Sequence, residues 1–165
     1  MAINDLKTAH LLVGSAWAIH AISWFLPVVT LGELRGFVGP VRGWYAVRFA
    51  LSPIWPGDFG AFDAWYVSVL SVASAATTFL LIVGSPLVVW RGSLSVRKAC
   101  AWVAIAAFIV NSHWYILSGP DRRVLNVGYF LWWLSFGLLA GGMFRLSSNG
   151  SASHHRQAIP NEAIC

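Results

Sequence analysis

The chain has 165 residues, 58% of them apolar and only 10% charged, and its mean hydropathy is +0.67. Soluble domains carry about 25% charged residues, so this composition excludes an ordinary water-soluble domain and places the chain among integral membrane proteins. The net charge of +5 comes from Lys and Arg lying between apolar runs, where they meet lipid headgroups and set orientation. The expected partner is therefore the bilayer, and no nucleic acid is expected. Two cysteines, Cys100 and Cys165, are too few for a disulfide framework.

The first apolar run, Ala9 to Leu31, follows a head containing Asp5 and Lys7. Ala16 and Ala18 supply the small-residue spacing of a cleaved signal. The run nevertheless continues through Trp17, Ile19, Trp24 and Phe25, so a retained helix is expected. Pro27 is expected to kink or end it, because proline removes a backbone donor and clashes with the preceding turn.

A long loop runs from Gly32 to Asp63, punctuated by glycine and proline, which argues against another span. Within it, Gly43 to Leu51 has two readings: two helical turns lying in the interface with Trp44, Val47 and Leu51 on one side, or an irregular segment on the helix ends.

The second run, Ala64 to Trp90, contains no formal charge between Asp63 and Arg91. As a helix it would reach roughly 40 Å at about 1.5 Å per residue, more than the roughly 30 Å hydrocarbon core. A third run, Ala99 to Ser118, is just long enough to cross, and SGPD at Ser118–Asp121 reads as a tight turn. The fourth run is Val124 to Phe144. Residues 147–165 are polar and poor in bulky side chains, so a mobile tail is expected.

The expected fold class is all-α: an integral membrane bundle of four transmembrane helices (9–31, 64–90, 99–118, 124–144) with a long loop between helices 1 and 2. Four spans put the N-terminus, the 91–98 loop and the tail on one face. That loop holds Arg91, Arg97 and Lys98 and no acid, so both termini are expected in the cytoplasm. Tryptophans agree, since Trp65 and Trp90 bracket the second run and Trp102 and Trp114 the third. All four tyrosines, Tyr45, Tyr66, Tyr115 and Tyr129, fall on or near the long-loop side.

Ionisable groups inside spans are the default functional candidates. The four runs offer His10, His20 and His113, with Asn111 and Asn126 as uncharged helpers, and contain no carboxylate, Lys or Arg. This weighs against proton coupling through paired acids, and against hydrolysis by two carboxylates or by a nucleophile, base and acid set. His10 sits at the entrance of its helix, an interfacial position. His20 and His113 fall at similar depths below the long-loop surface. Either they face each other and ligate haem b or a metal, as facing helices of a bundle can, or each is hydrogen-bonded within the bundle.

Small residues form two further patterns: Gly137 with Gly141 in a GxxxG, and Ser71, Ala75 and Thr78 in a ridge at helical spacing. Such ridges permit close backbone approach, either among the chain's own helices or at a homodimer seam.

With FLP at Phe25–Pro27, GW at Gly43–Trp44 and GYFLWWLSF at Gly128–Phe136, the chain resembles a loose group of small bacterial four-helix integral membrane proteins without an assigned activity. Where that group has Asn-Pro in its second helix, this chain has Gly84, Ser85 and Pro86. The resemblance implies a bacterial inner membrane and supplies no chemistry. The functional expectation is a non-enzymatic accessory or interaction subunit of a membrane complex, with no cofactor. The alternative is a haem- or metal-binding redox protein using His20 and His113.

Overall fold

A computed structural model describes residues 3–31, 39–55, 64–117 and 124–157. In chain order the elements are α1 (Ile3–Phe25), β1 (Pro27–Leu31), β2 (Gly39–Arg42), α2 (Gly43–Ala50) and α3 (Trp65–Phe79). A π-helical turn (Leu80–Gly84) joins α3 to α4 (Ser85–Arg91), and α5 (Leu94–Asn111), α6 (His113–Leu117) and α7 (Val127–Gln157) follow. The chain is mostly helical, so the all-α class holds, with one small antiparallel sheet. Three continuous helical stretches are long and apolar enough to cross a membrane: Trp65–Arg91, Leu94–Leu117 and Val127–Ser148.

The first expected span, 9–31, is divided. Helix ends at Phe25 and Pro27 begins a strand, because proline cannot donate to the preceding turn and the next residues, Val28, Val29 and Thr30, are β-branched. α1 keeps 23 residues, roughly 34 Å at about 1.5 Å each. Its two histidines and two tryptophans lower its hydropathy below that of the other three.

The loop expectation is corrected in the same place. β1 pairs antiparallel with β2, Val29 opposite Val41 and Leu31 opposite Gly39, with an irregularity between Pro27 and Val29. Gly39 has φ +137°, a conformation closed to most side chains. The helical reading of 43–51 is the one adopted, as α2. SGPD at 118–121 lies outside the described residues. α7 continues as helix to Gln157, so the backbone of 147–157 extends the last helix; residues 158–165, the rest of the expected tail, lie outside the described residues.

α7 is the central helix, packed most extensively on α1 and α5. Its Phe136, Leu139, Ala140 and Met143 meet Ala9, Val13 and Ala16 of α1 and Ala101, Ala104 and Ala107 of α5 in one buried cluster. Without a hydrophobic force between helices in lipid, close packing through small residues is what holds such a bundle. Gly142 provides the tightest approach: a Cβ there would lie 2.6 Å from Val13 Cγ2 and 3.2 Å from the Ala9 carbonyl oxygen. Of the two glycines that the sequence singles out, Gly137 packs on the Phe108 ring, whereas a Cβ on Gly141 would meet nothing within 4 Å. Ser71, Ala75 and Thr78 are all buried, so the ridge on α3 faces inward.

Candidate functional site

A cap closes one end of the bundle. β1, β2 and α2 fold over the exit of α1 and the start of α7, fixed by the Asn126 amide N–H to the Val28 carbonyl (2.9 Å) and by Asn126 Nδ2 to Thr30 Oγ1 (2.8 Å). Two close approaches tighten the fit. A Cβ on Gly43 would lie 2.5 Å from the Ser23 carbonyl oxygen, and one on Gly128 would lie 2.6 Å from that of Pro27. Val28, Leu125 and Tyr129 form a small second core beneath the cap.

Between cap and helices lies a cavity of about 300 Å³. Its walls come from the end of α1 (Ser23, Trp24), the two strands, α2, the middle of α3 (Ser74, Ala75, Thr78), Trp114 of α6, and Tyr129 and Trp132 of α7. The lining is almost wholly apolar. Five of its hydroxyls are already engaged within the protein. Ser23 Oγ donates to the His20 carbonyl (2.6 Å), Ser74 Oγ to Asn111 Oδ1 (2.6 Å) and Tyr129 OH to the Asn111 carbonyl (2.8 Å). Thr78 Oγ1 accepts from Trp132 Nε1 at 3.1 Å, and Thr30 Oγ1 from Asn126.

Asn111 is the hub of this polar layer. Its Nδ2 donates to Thr77 Oγ1 (3.0 Å), so one amide joins α3, α5 and, through its own carbonyl, α7. Its side chain is fully buried, where an amide without partners would be costly. The same region explains why α5 stops. Four consecutive carbonyls accept side-chain donors: Phe108 from Trp133 Nε1, Ile109 from Ser112 Oγ, Val110 from His113 Nδ1 and Asn111 from Tyr129. Side chains inserted into the helical ladder are a recognised cause of a break, here at Ser112.

His20 and His113 lie at the capped end, since Ser23 and Trp24, close after His20, and Trp114, next to His113, line the same cavity. No described hydrogen bond or ring contact joins the two histidines. His20 Nδ1 is 3.0 Å from Ser135 Oγ, its ring stands edge-on to Phe136 with centroids 5.9 Å apart, and its Nε2 is buried without a partner. His113 Nδ1 donates to the Val110 carbonyl at 2.6 Å, and its Nε2 is also unpartnered. His10 donates to or accepts from nothing beyond its own helix among the described contacts, bonding the Leu6 carbonyl at 2.9 Å on an exposed face.

The tryptophan pattern divides. Trp65 and Trp90 are 77% and 75% exposed at the ends of their stretch, whereas Trp114 is half-buried and turned into the cavity. The cavity itself is what sequence reading misses. The β-branched run after Pro27 is the signal that would have announced a strand there and hence a cap.

Comparison with protein-family models, with curated proteins and with solved structures gives no match in any of the three.

Proposed function

We propose that the chain is a four-span protein of the cytoplasmic (inner) membrane, with both termini in the cytoplasm, acting as a non-enzymatic accessory subunit that holds a hydrocarbon chain under its cap. The observation that carries this reading is the cavity of about 300 Å³ with an almost wholly apolar lining, in which the hydroxyls of Ser23, Thr30, Ser74, Thr78 and Tyr129 are engaged by other protein groups. That volume is at the lower end of ligand pockets. A wall this poor in polar groups selects by shape and apolarity, which fits an acyl or isoprenoid segment from the surrounding lipid. α1 serves as the fourth span; its 23 residues suffice in length. The bilayer and another membrane protein, or a second copy along the open Gly141 side, are the partners in this reading.

Solvent extraction of the purified protein and mass spectrometry of the extract test it. A lipid is expected at near one per chain, and Ala46→Phe, placed on the cap helix facing the cavity, is expected to expel it. An extract matching that of empty micelles would overturn the reading.

A second reading keeps His20 and His113 as ligands of haem b or a metal. It has one specific support: in both rings Nδ1 is engaged and Nε2 is unpartnered, the arrangement by which an outer hydrogen bond orients a ligating imidazole. A Soret band in the purified protein, lost on changing either histidine, would establish it.

A further inference from the structure

A second cavity, of about 290 Å³, opens between α1 and the π turn that joins α3 to α4. Trp17, Trp24 and Phe25 form one wall, Ile82 and Pro86 the other, and His20 is the one ionisable lining residue among the described residues.

The cleft is a built feature of this part of the fold. In the π turn the Ser85 N–H bonds to the Leu80 carbonyl, five residues back. Pro86 has no N–H, so the Leu81 carbonyl loses both of the helical donors that could reach it. Ser85 Oγ supplies the missing donor at 2.6 Å, and accepts in turn from Trp17 Nε1 at 2.8 Å. The consequence is a wall fixed from both helices. π turns of this kind concentrate at functional sites.

His20 has a defined tautomer. Ser135 Oγ gives its only proton to the Trp132 carbonyl at 2.5 Å, so it can only accept from His20, whose proton in the neutral ring is therefore on Nδ1. That leaves Nε2 as a bare lone pair. The side chain is 2% exposed, and among the described residues no donor reaches this atom. A buried acceptor without a donor is a costly arrangement unless something supplies one.

His20 is part of the lining of this cleft. Phe25 and Ile82 are exposed on the outer surface of the helices, the side that faces lipid in a membrane-spanning bundle. We propose that this cleft binds a lipid-soluble molecule of the hydroquinone class, its ring between the indoles of Trp17 and Trp24 and its hydroxyl donating to His20 Nε2. An acceptor-only imidazole discriminates by oxidation state: the hydroquinone carries the O–H that Nε2 needs, and the quinone presents only a second acceptor. The site lies outside the hydrocarbon cavity under the cap and is independent of it, although Trp24 touches both.

Equilibrium dialysis of the full chain in detergent against a short-chain alkyl 1,4-benzoquinone, held either fully reduced or fully oxidised, tests this assignment. The reduced form is expected to bind at least tenfold more tightly than the oxidised form. His20→Phe removes the acceptor and is expected to abolish the preference. Ile82→Trp, at a lipid-facing position outside the buried core, is expected to block the cleft and lose binding of the reduced form while the fold is kept. Equal binding of the two forms, no binding of either, or binding indifferent to Ile82→Trp would each overturn the proposal, as would haem or metal found on His20.

Discussion

The phenol of Tyr129 lies 2.8 Å from the carbonyl oxygen of Asn111, so the first turn of α7 is bonded to the residue at which α5 ends. Asn111 is the last residue of α5, and Tyr129 is 1% exposed. The bond thus satisfies a backbone acceptor beside a side chain that is buried from water.

Tyr129→Phe keeps the ring, which sits against Trp132 and Trp133 with centroids 5.9 and 6.4 Å away, and removes only the donor. Leaving the buried carbonyl unpaired should destabilise the protein by about 1–3 kcal/mol. A lowered thermal midpoint in detergent with unchanged helical content is the expected result. An unchanged midpoint would show that the carbonyl finds another donor.

Two neighbouring glycines should respond in opposite ways. A methyl on Gly142 would enter the Val13 side chain and the α1 backbone, both parts of the largest helix contact. Gly142→Ala is therefore expected to cost about 1–3 kcal/mol through overpacking. Gly141→Ala, facing open space, should be neutral in the isolated chain. If Gly141→Ala instead changes the apparent mass in mild detergent, the open side is an interface between copies.

The helices were legible from hydropathy because lipid demands long uncharged runs, and the three stretches from 65 to 148 follow the expected spans closely. Gly43–Ala50 was legible only as one of two readings, helix or irregular segment; Trp44, Val47 and Leu51 recur at helical spacing, and the helix is the one formed. The hairpin at 27–42 was not, since its strands are short and separated from each other by other residues, and pairing of that kind leaves no period to count. Asn111 and the Ser71–Ala75–Thr78 ridge could be singled out by residue type, but the partner of each polar atom depends on helix rotation. For the same reason a depth match between His20 and His113 said nothing of the Ser135 and Val110 groups that each ring in fact meets. The GxxxG pattern drew notice to Gly141 when the close contact belongs to Gly142, one residue and about 100° of helix away.

Ser74 and Asn111 should be energetically coupled. Ser74 Oγ donates to Asn111 Oδ1 at 2.6 Å, and the same amide donates to Thr77. Hydrogen bonds between membrane helices average about 0.6 kcal/mol in double-mutant cycles, with a maximum near 1.7 kcal/mol. Ser74→Ala should stay within that range, and Asn111→Ala should cost more because it breaks two side-chain bonds. A cycle through both changes is expected to give a coupling of about 0.5 kcal/mol or more. Additive effects would mean that the pair shares no bond in the membrane.

The number of crossings decides the topology, and α1 is the helix in question. The three stretches Trp65–Arg91, Leu94–Leu117 and Val127–Ser148 alone would put the segment before Trp65 and the end of α7 on opposite faces. If α1 also crosses, both termini return to one face. The structure shortens the expected 91–98 loop to Gly92 and Ser93, but Arg91 at the end of α4 and Arg97 and Lys98 at the start of α5 then hold that face in the cytoplasm, since short basic segments resist translocation. Reporters active only in the cytoplasm, fused at each end in turn, are expected to be active in both fusions. The same reporter placed in the 43–55 segment should be inactive. Activity of the C-terminal fusion alone would remove α1 from the membrane and leave the N-terminus on the outer side with the cap and its cavity. Replacing Arg91, Arg97 and Lys98 together by Gln should weaken the bias by removing the only charges of that loop, and mixed orientation of the end fusions is the expected readout.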